Sequence, residues 1–379
     1  MPEKGGSYID PDYNSTIIRI TDKSTDGYSG PGIENEYARS DPENSDGSYL
    51  ILRGNDGEWY LYRNSDHELT KHLTDIVGGG QEVEPRWDAS NPDIFYYLYG
   101  TELRSYNINT DNFTTVHDFA DDVQDAVYIT TQTEGDASLD RNHWCFMVQD
   151  DEMALLSVLV YNRGSDQVTG QNTAAFPDGI NWVSMDMNGN HCVIGYEDSD
   201  TDGDDQTPPL EVFSRTKTKI QTLPEGSTGH MDLAIDADGN DVMVYQNNAT
   251  DWIAMADLET GIETNLVQIL FNINGDIGIH VSGNCAETPG WVLVSTYGSK
   301  NPPEGQEHSW MDNLLFMLEL KEDPIIEEIA STHAYTSLNF DGEKNYFAEA
   351  FAAINTSGTT IYFGSNWEDY TQDYKKHIW

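Results

Sequence analysis

The sequence predicts an all-β protein. The architecture expected is a single seven-bladed β-propeller of four-stranded antiparallel blades spanning residues 1–379. Three observations lead there. Apolar and aromatic residues recur with a period of two, not 3.6, in short runs bounded by turn clusters, and no long amphipathic helix interrupts them. A turn-then-strand unit returns every 40–50 residues or so, the spacing of propeller blades. The last unit is one strand short, and an orphan strand waits at the other terminus.

The repeating unit opens with Asp, Asn and Gly, whose side chains cap tight turns and whose glycine takes positive φ. The turn at 41–47 precedes a strand at 48–52, that at 88–93 a strand at 94–98, and that at 138–142 a strand at 143–148. The turns at 186–190, 236–240 and 355–359 precede strands at 191–196, 241–245 and 360–364. A second strand, a polar turn and a third strand follow, as in 252–257, 258–261 and 263–266. A diverged sixth unit covers about 277–329, and the seventh ends at 373–379. The strand at 15–20 then completes the last blade and closes the ring, which removes exposed sheet edges. Two packed β-sandwiches are the structural alternative.

Composition narrows the partners. With 66 Asp+Glu against 19 Lys+Arg, the net charge is −47 at pH 7. Such a chain repels nucleic-acid backbones and anionic lipid. It also opposes its own compaction unless salt screens it, which suggests a halophilic setting. The 21 Tyr, 12 Phe and 9 Trp suffice for a core. No apolar stretch nears the roughly 20 residues that span a bilayer, so membrane insertion is not expected. Met1–Gly6 lacks a basic-then-apolar export signal: either export does not use one or it lies outside this chain. Cys145, Cys192 and Cys285 are far apart and odd in number, so no disulfide framework is indicated. Cys145 and Cys192 sit in apolar runs and read as core.

A set of short stretches resembles a known family. They include Glu84-Pro85-Arg86-Trp87, Trp182-Val183-Ser184-Met185, Gly229-His230-Met231-Asp232, His280-Val281-Ser282-Gly283-Asn284, Gly290–Tyr297 and Phe363-Gly364-Ser365-Asn366-Trp367. Together they resemble the WD40-like seven-bladed propellers that include the ulvan lyases and, more distantly, the oligogalacturonate lyases. The resemblance implies cleavage of uronate-containing acidic polysaccharides by β-elimination. That chemistry needs a base for the C5 proton and positive charge or a metal at the carboxylate. The family's usual actors are His, Tyr and Arg, which makes His143, His191, Tyr196 and Arg215 catalytic candidates. For His143 and His191 the preferred role is structural, as strand residues filling a core.

Other constellations carry their own chemistry. His230, His280, Cys285 and His333 each lie near the start of a late blade, where inner strands converge on a central channel. Three imidazoles and a thiolate suit a closed tetrahedral Zn²⁺ site; separately bonded side chains are the alternative. Asp198, Asp200, Asp202 and Asp204 alternate around Gly203, a spacing that suits Ca²⁺, although Pro209 stands where the loop's last Glu belongs. A solvated acidic loop is the other reading. Arg86 and Trp87 are candidates for substrate binding, the guanidinium for a carboxylate and the indole for a sugar face.

Two functions are therefore weighed. One is a lyase-like enzyme acting on acidic polysaccharide. The other is a non-catalytic propeller that binds a cell-surface glycan or receptor within a larger assembly, such as the tail or capsid of a halophilic virus. Both place the protein outside the cell or on a virion.

Overall fold

A computed structural model describes residues 1–30, 32–172, 179–196, 210–223, 230–269, 277–298, 310–334, 349–367 and 377–378. Among these, six four-stranded antiparallel sheets follow one another along the chain, each built from four consecutive strands. The propeller is therefore confirmed, with six complete blades where the sequence suggested seven.

The strands that the sequence makes most visible are the second of each blade. Tyr49–Gly54, Ile94–Tyr99, His143–Gln149, His191–Tyr196, Asp241–Asn247 and Trp291–Gly298 fill these places. They are buried on both faces because a neighbouring blade packs on each side, so they read as near-continuous apolar runs. The fourth strands, such as Asn112–Asp118 and Glu68–His72, lie at the rim and are largely exposed. Core clusters sit between blades. One joins Phe95, Trp87 and Tyr97 of blade 2 to Ile51, Trp59 and Leu61 of blade 1.

Asx-type capping closes the turns ahead of the second strands. Asp88 Oδ1 accepts from the Ser90 and Asn91 amides at 2.9 Å. Asp236 Oδ1 accepts from Asn240 N at 2.9 Å, and Asn355 Oδ1 from Thr359 N at 2.9 Å. Gly189 and Gly239 take φ of +72° and +87° in these turns, a region that a Cβ disfavours.

The seventh unit departs from expectation. It contains two short ladders, Ala353–Ile354 with Ile361–Tyr362 and Gly364–Ser365 with His377–Ile378. The N-terminal strand, Thr16–Ile18, does not join them. It pairs with Ser7–Ile9 as a hairpin. The reason is local: Asp10 Oδ1 accepts from Asp12 N at 3.0 Å, which reverses the chain, and a short loop closes at little entropic cost. The hairpin still docks on the last units. Ile17 packs with Ile354, Phe363 and Ala330, and Asp10 Oδ2 accepts from Ser331 N at 3.0 Å. Among the described residues, the hairpin meets the last units through these contacts and shares no ladder with them.

The cysteine reading also needs correction. Cys145 and Cys192 are buried and form a disulfide with Cα atoms 5.7 Å apart. They occupy matching second strands of blades 3 and 4, and the 47-residue separation is one blade repeat, so the fold brings them face to face.

Candidate functional site

The first strands of the blades surround the channel, and the residues leading into them gather at one end. His230 lies two residues before Asp232–Ile235, the first strand of blade 5. His280 lies within Ile277–Ser282, the first strand of blade 6, and Glu349 precedes Ala353–Ile354. His230 adopts φ of +52°, and Glu84 and Phe351, two residues before the first strands of blade 2 and of the last unit, adopt +48° and +44°. Left-handed backbone at bulky residues is sparsely populated and collects at functional sites.

Here side chains from four units meet. His280 is 1% exposed and its Nε2 lies 2.8 Å from Glu349 Oε2. An ionised Glu349 accepts the Nε2 proton, which leaves the Nδ1 lone pair of His280 facing His230 Nδ1 at 3.4 Å. Tyr297 stacks on the His280 ring with centroids 5.1 Å apart, Phe351 packs at 4.5 Å, and Tyr37 of blade 1 presents its edge at 5.5 Å. Burial, together with the neighbouring His280, pulls the His230 pKa down to about 4, against the opposing pull of Glu349. His230 is thus a neutral imidazole at pH 7.

Around it stands a buried charge network. Arg39 bonds the carbonyl of Glu134 at 2.8 Å and its carboxylate at 3.1 Å, and lies over the Trp182 ring. Among the described residues, its Nε has no hydrogen-bond partner. Arg86 bonds Glu36 at 2.5 Å and the Gly135 carbonyl at 2.8 Å, with Asp136 at 3.4 Å. Burial opposes its charge, but Glu36, Asp136 and Glu84 together raise its pKa. Asp232 is pushed up to about 7 by burial, despite Arg39 and the amides of Gly283 and Leu233. The arrangement offers a desolvated neutral base, a partner imidazole fixed by a carboxylate, aromatic faces, and two guanidinium groups.

The channel's other end differs. A cleft of about 530 Å³ is lined there by Asp41, Glu43, Asp46, Asp88 and Glu287 with only Arg141 opposing them. An anionic ligand would be repelled from it.

Of the expected zinc ligands, only His230 and His280 come together. Cys285 packs among Ile17, Leu293 and Ile354 and donates to the Trp291 carbonyl at 3.1 Å, and burial pushes its thiol up to about 12. His333 lies between Tyr8 and Trp367. The reason is geometric. Cys285 is five residues past His280, roughly 16 Å of extended chain, and His333 follows Ile326–Ser331, the outermost strand of blade 6. Among the described residues, the sole group of three or more metal-ligating side chains in mutual reach is Asp186, His191 and Asp241. The expected calcium ligands Asp198, Asp200, Asp202 and Asp204 lie outside the described residues.

Of the other candidates, His143 and Arg215 come into contact, away from the His230 end. His143 Nε2 contacts Asn162 at 2.9 Å and Arg215 at 3.4 Å. His191 bridges Asp186 and Glu259, and Tyr196 donates to Glu211 at 2.6 Å. Trp87 is buried and donates to the Pro42 carbonyl at 2.9 Å. Glu349, Tyr297, Tyr37 and Arg39 were not singled out from the sequence. A clue was available for Arg39, one of few cations in so acidic a chain, and for Glu349, a charge beside the apolar run 350–353.

No protein-family profile matches the chain, and no curated protein matches it. Among solved structures, it is similar to an oligogalacturonate lyase from Vibrio parahaemolyticus. The TM-score is 0.63 and the identity 14%, over 99% of this chain and 97% of that one. It also matches the β-propeller domain of Cps50 (Swd1) from Myceliophteria thermophila, at a TM-score of 0.49 and 11% identity, over 90% of this chain and 96% of that one. The chain thus has a β-propeller fold, shared with an oligogalacturonate lyase along almost its full length.

Proposed function

We propose that the protein is a glycan-directed propeller that cleaves uronate-containing acidic polysaccharide by β-elimination at the His230 end of the channel. The observation that carries this reading is a half-buried His230 whose Nδ1 faces a buried His280 held by Glu349. β-Elimination removes the C5 proton, breaks the bond from C4 to the glycosidic oxygen, which leaves as a hydroxyl by taking a proton from water, and leaves a C4–C5 double bond in the new uronate end. A neutral imidazole can accept that proton, and the nearby guanidinium of Arg39 favours the negative charge that develops at the carboxylate. Two imidazole donors are half of a tetrahedral set, so the residues present do not complete the expected zinc site and no step is routed through a metal. The fold shared with an oligogalacturonate lyase supports the substrate class. The interblade disulfide supports a location in an oxidising compartment or outside the cell.

A second reading is favoured by one observation: both guanidinium groups are already paired with carboxylates. A propeller that binds an acidic glycan without turning it over, as part of a virion or another large assembly, would have such a site. Absorbance of unsaturated uronate products over a panel of acidic glycans in high salt separates the two. Binding with no product from any glycan would refute the enzyme.

A further inference from the structure

We propose that the interface between blades 4 and 5, at the end of the channel away from His230, holds a divalent transition-metal ion on Asp186, His191 and Asp241. Ligand atoms of these three buried side chains all lie within 4.8 Å of one another. Bonds of about 2.0–2.2 Å put the donors of a tetrahedral ion roughly 3.3–3.6 Å apart, so the side chains need close by only about 1 Å around it.

The turn that supplies Asp186 occurs twice, which shows what is unusual about it. Asp236-Ala237-Asp238-Gly239-Asn240 in blade 5 and Asp186-Met187-Asn188-Gly189-Asn190 in blade 4 are versions of one motif. In blade 5 the aspartate serves its own turn. Asp236 Oδ1 takes the Asp238 and Asn240 amides, and Oδ2 takes Asn240 Nδ2, all at 2.9 Å. In blade 4, Asp186 Oδ1 takes the Asn190 amide at 2.6 Å, while Oδ2 turns to His191 Nδ1 at 2.5 Å. Asn188 reaches across to the next blade instead and donates to both oxygens of Asp241, at 3.2 and 3.0 Å. One turn aspartate is thus diverted into the interblade contact, where a second carboxylate and an imidazole meet it.

Charge and ligand orientation agree. No lysine or arginine pairs with Asp186 or Asp241 among the described residues, and Asp186 is 0% exposed. Among the described residues, His191 is the one basic side chain that pairs with this carboxylate group, through Asp186 and Glu259. A divalent ion answers the deficit that a single proton leaves. Glu259 lies 3.1 Å from His191 Nε2. By accepting that proton it frees Nδ1 as the donor, the carboxylate–histidine–metal pattern of many metal sites. One nitrogen with two oxygens favours an ion of the zinc or manganese type over Ca²⁺, and three protein donors leave a position for water. Such an ion would staple two blades and bind only the folded chain.

The test uses the full chain, stripped with a chelator, and a Zn²⁺ titration read by calorimetry and by melting temperature. The expected result is one equivalent bound with a rise in melting temperature, and no comparable rise with Ca²⁺. A His230→Ala variant should keep both effects, which excludes the channel imidazoles as their source. Asp241→Asn should lose them, and Glu259→Gln should weaken binding by about 10–100-fold. Should Asp241→Asn not fold, His191→Gln supplies the same comparison. Wild-type protein that binds no stoichiometric Zn²⁺, or binding as tight in Asp241→Asn or His191→Gln as in wild type, would overturn the proposal and leave a proton-sharing carboxylate pair.

Discussion

His230 and two half-buried aspartates make opposite demands on the protons in solution. Asp41 and Asp232 are both pushed up to about 7, by burial first, from an unfolded value of 3.8. Between these values the folded protein keeps protons that the unfolded chain has released. Their contribution to stability is therefore full at low pH and declines as pH rises through that window. His230, lowered to about 4 from 6.5, acts in the other direction: its contribution is full above 6.5 and declines as pH falls toward 4. Two carboxyls outweigh one imidazole, so the melting temperature in molar salt should rise between pH 7.5 and pH 5.5. Asp41→Asn should flatten that rise, because the amide keeps an acceptor for the Thr356 amide, 2.8 Å away, without a titrating group. Parallel pH profiles for the variant and wild type would contradict this assignment. Little of it could be read from the sequence. Asp41 looks like one more turn residue, and His280 and Glu349 are 69 positions apart with no motif to join them. His230 and His280 were legible because each stands near the start of a blade.

At the scale of elements, legibility followed burial on two faces. Second strands such as Cys145–Val148 and Val242–Tyr245 announce themselves as apolar runs after a capped turn. First strands such as Arg86–Trp87 and Ala353–Ile354 are two residues long and carry polar neighbours toward the channel, so period-two patterning barely registers there. The closure was misread for a related reason: 16–18 has strand character, but character alone does not choose between Ser7–Ile9 and the last unit. Removing residues 1–22 should still harm the protein, since the hairpin covers Ala330, Ile354 and Phe363. A gentler version is Ile17→Ala, for which the loss of buried volume should cost about 2–5 kcal/mol in chemical denaturation. An unchanged midpoint would show that the hairpin does not contribute to the fold. Reduction of Cys145–Cys192, or Cys145→Ser with Cys192→Ser, should cost about 2–4 kcal/mol. Equal stability of oxidised and reduced protein would contradict a role for the bridge in joining blades 3 and 4.

The whole molecule is a ring of blades under strong self-repulsion, with a net charge of −47. We propose a high-salt setting, in which cations shorten the screening length to about 3 Å at 1 M. Melting temperature should then climb steeply from low salt to molar KCl, and a salt-independent melt would refute this. The same charge bears on function, because an acidic polysaccharide must approach an acidic protein. Arg39 stands near the neutral His230 at one end of the channel; the cleft at the opposite end is lined by five carboxylates and one arginine. The most direct test of the account is the rate at which unsaturated uronate ends form from acidic glycans in molar salt, compared between wild type and His230→Ala of equal melting temperature. The account predicts product with wild type and a fall of about 10²–10⁴-fold on loss of the imidazole. Product formed equally fast by the variant would contradict it.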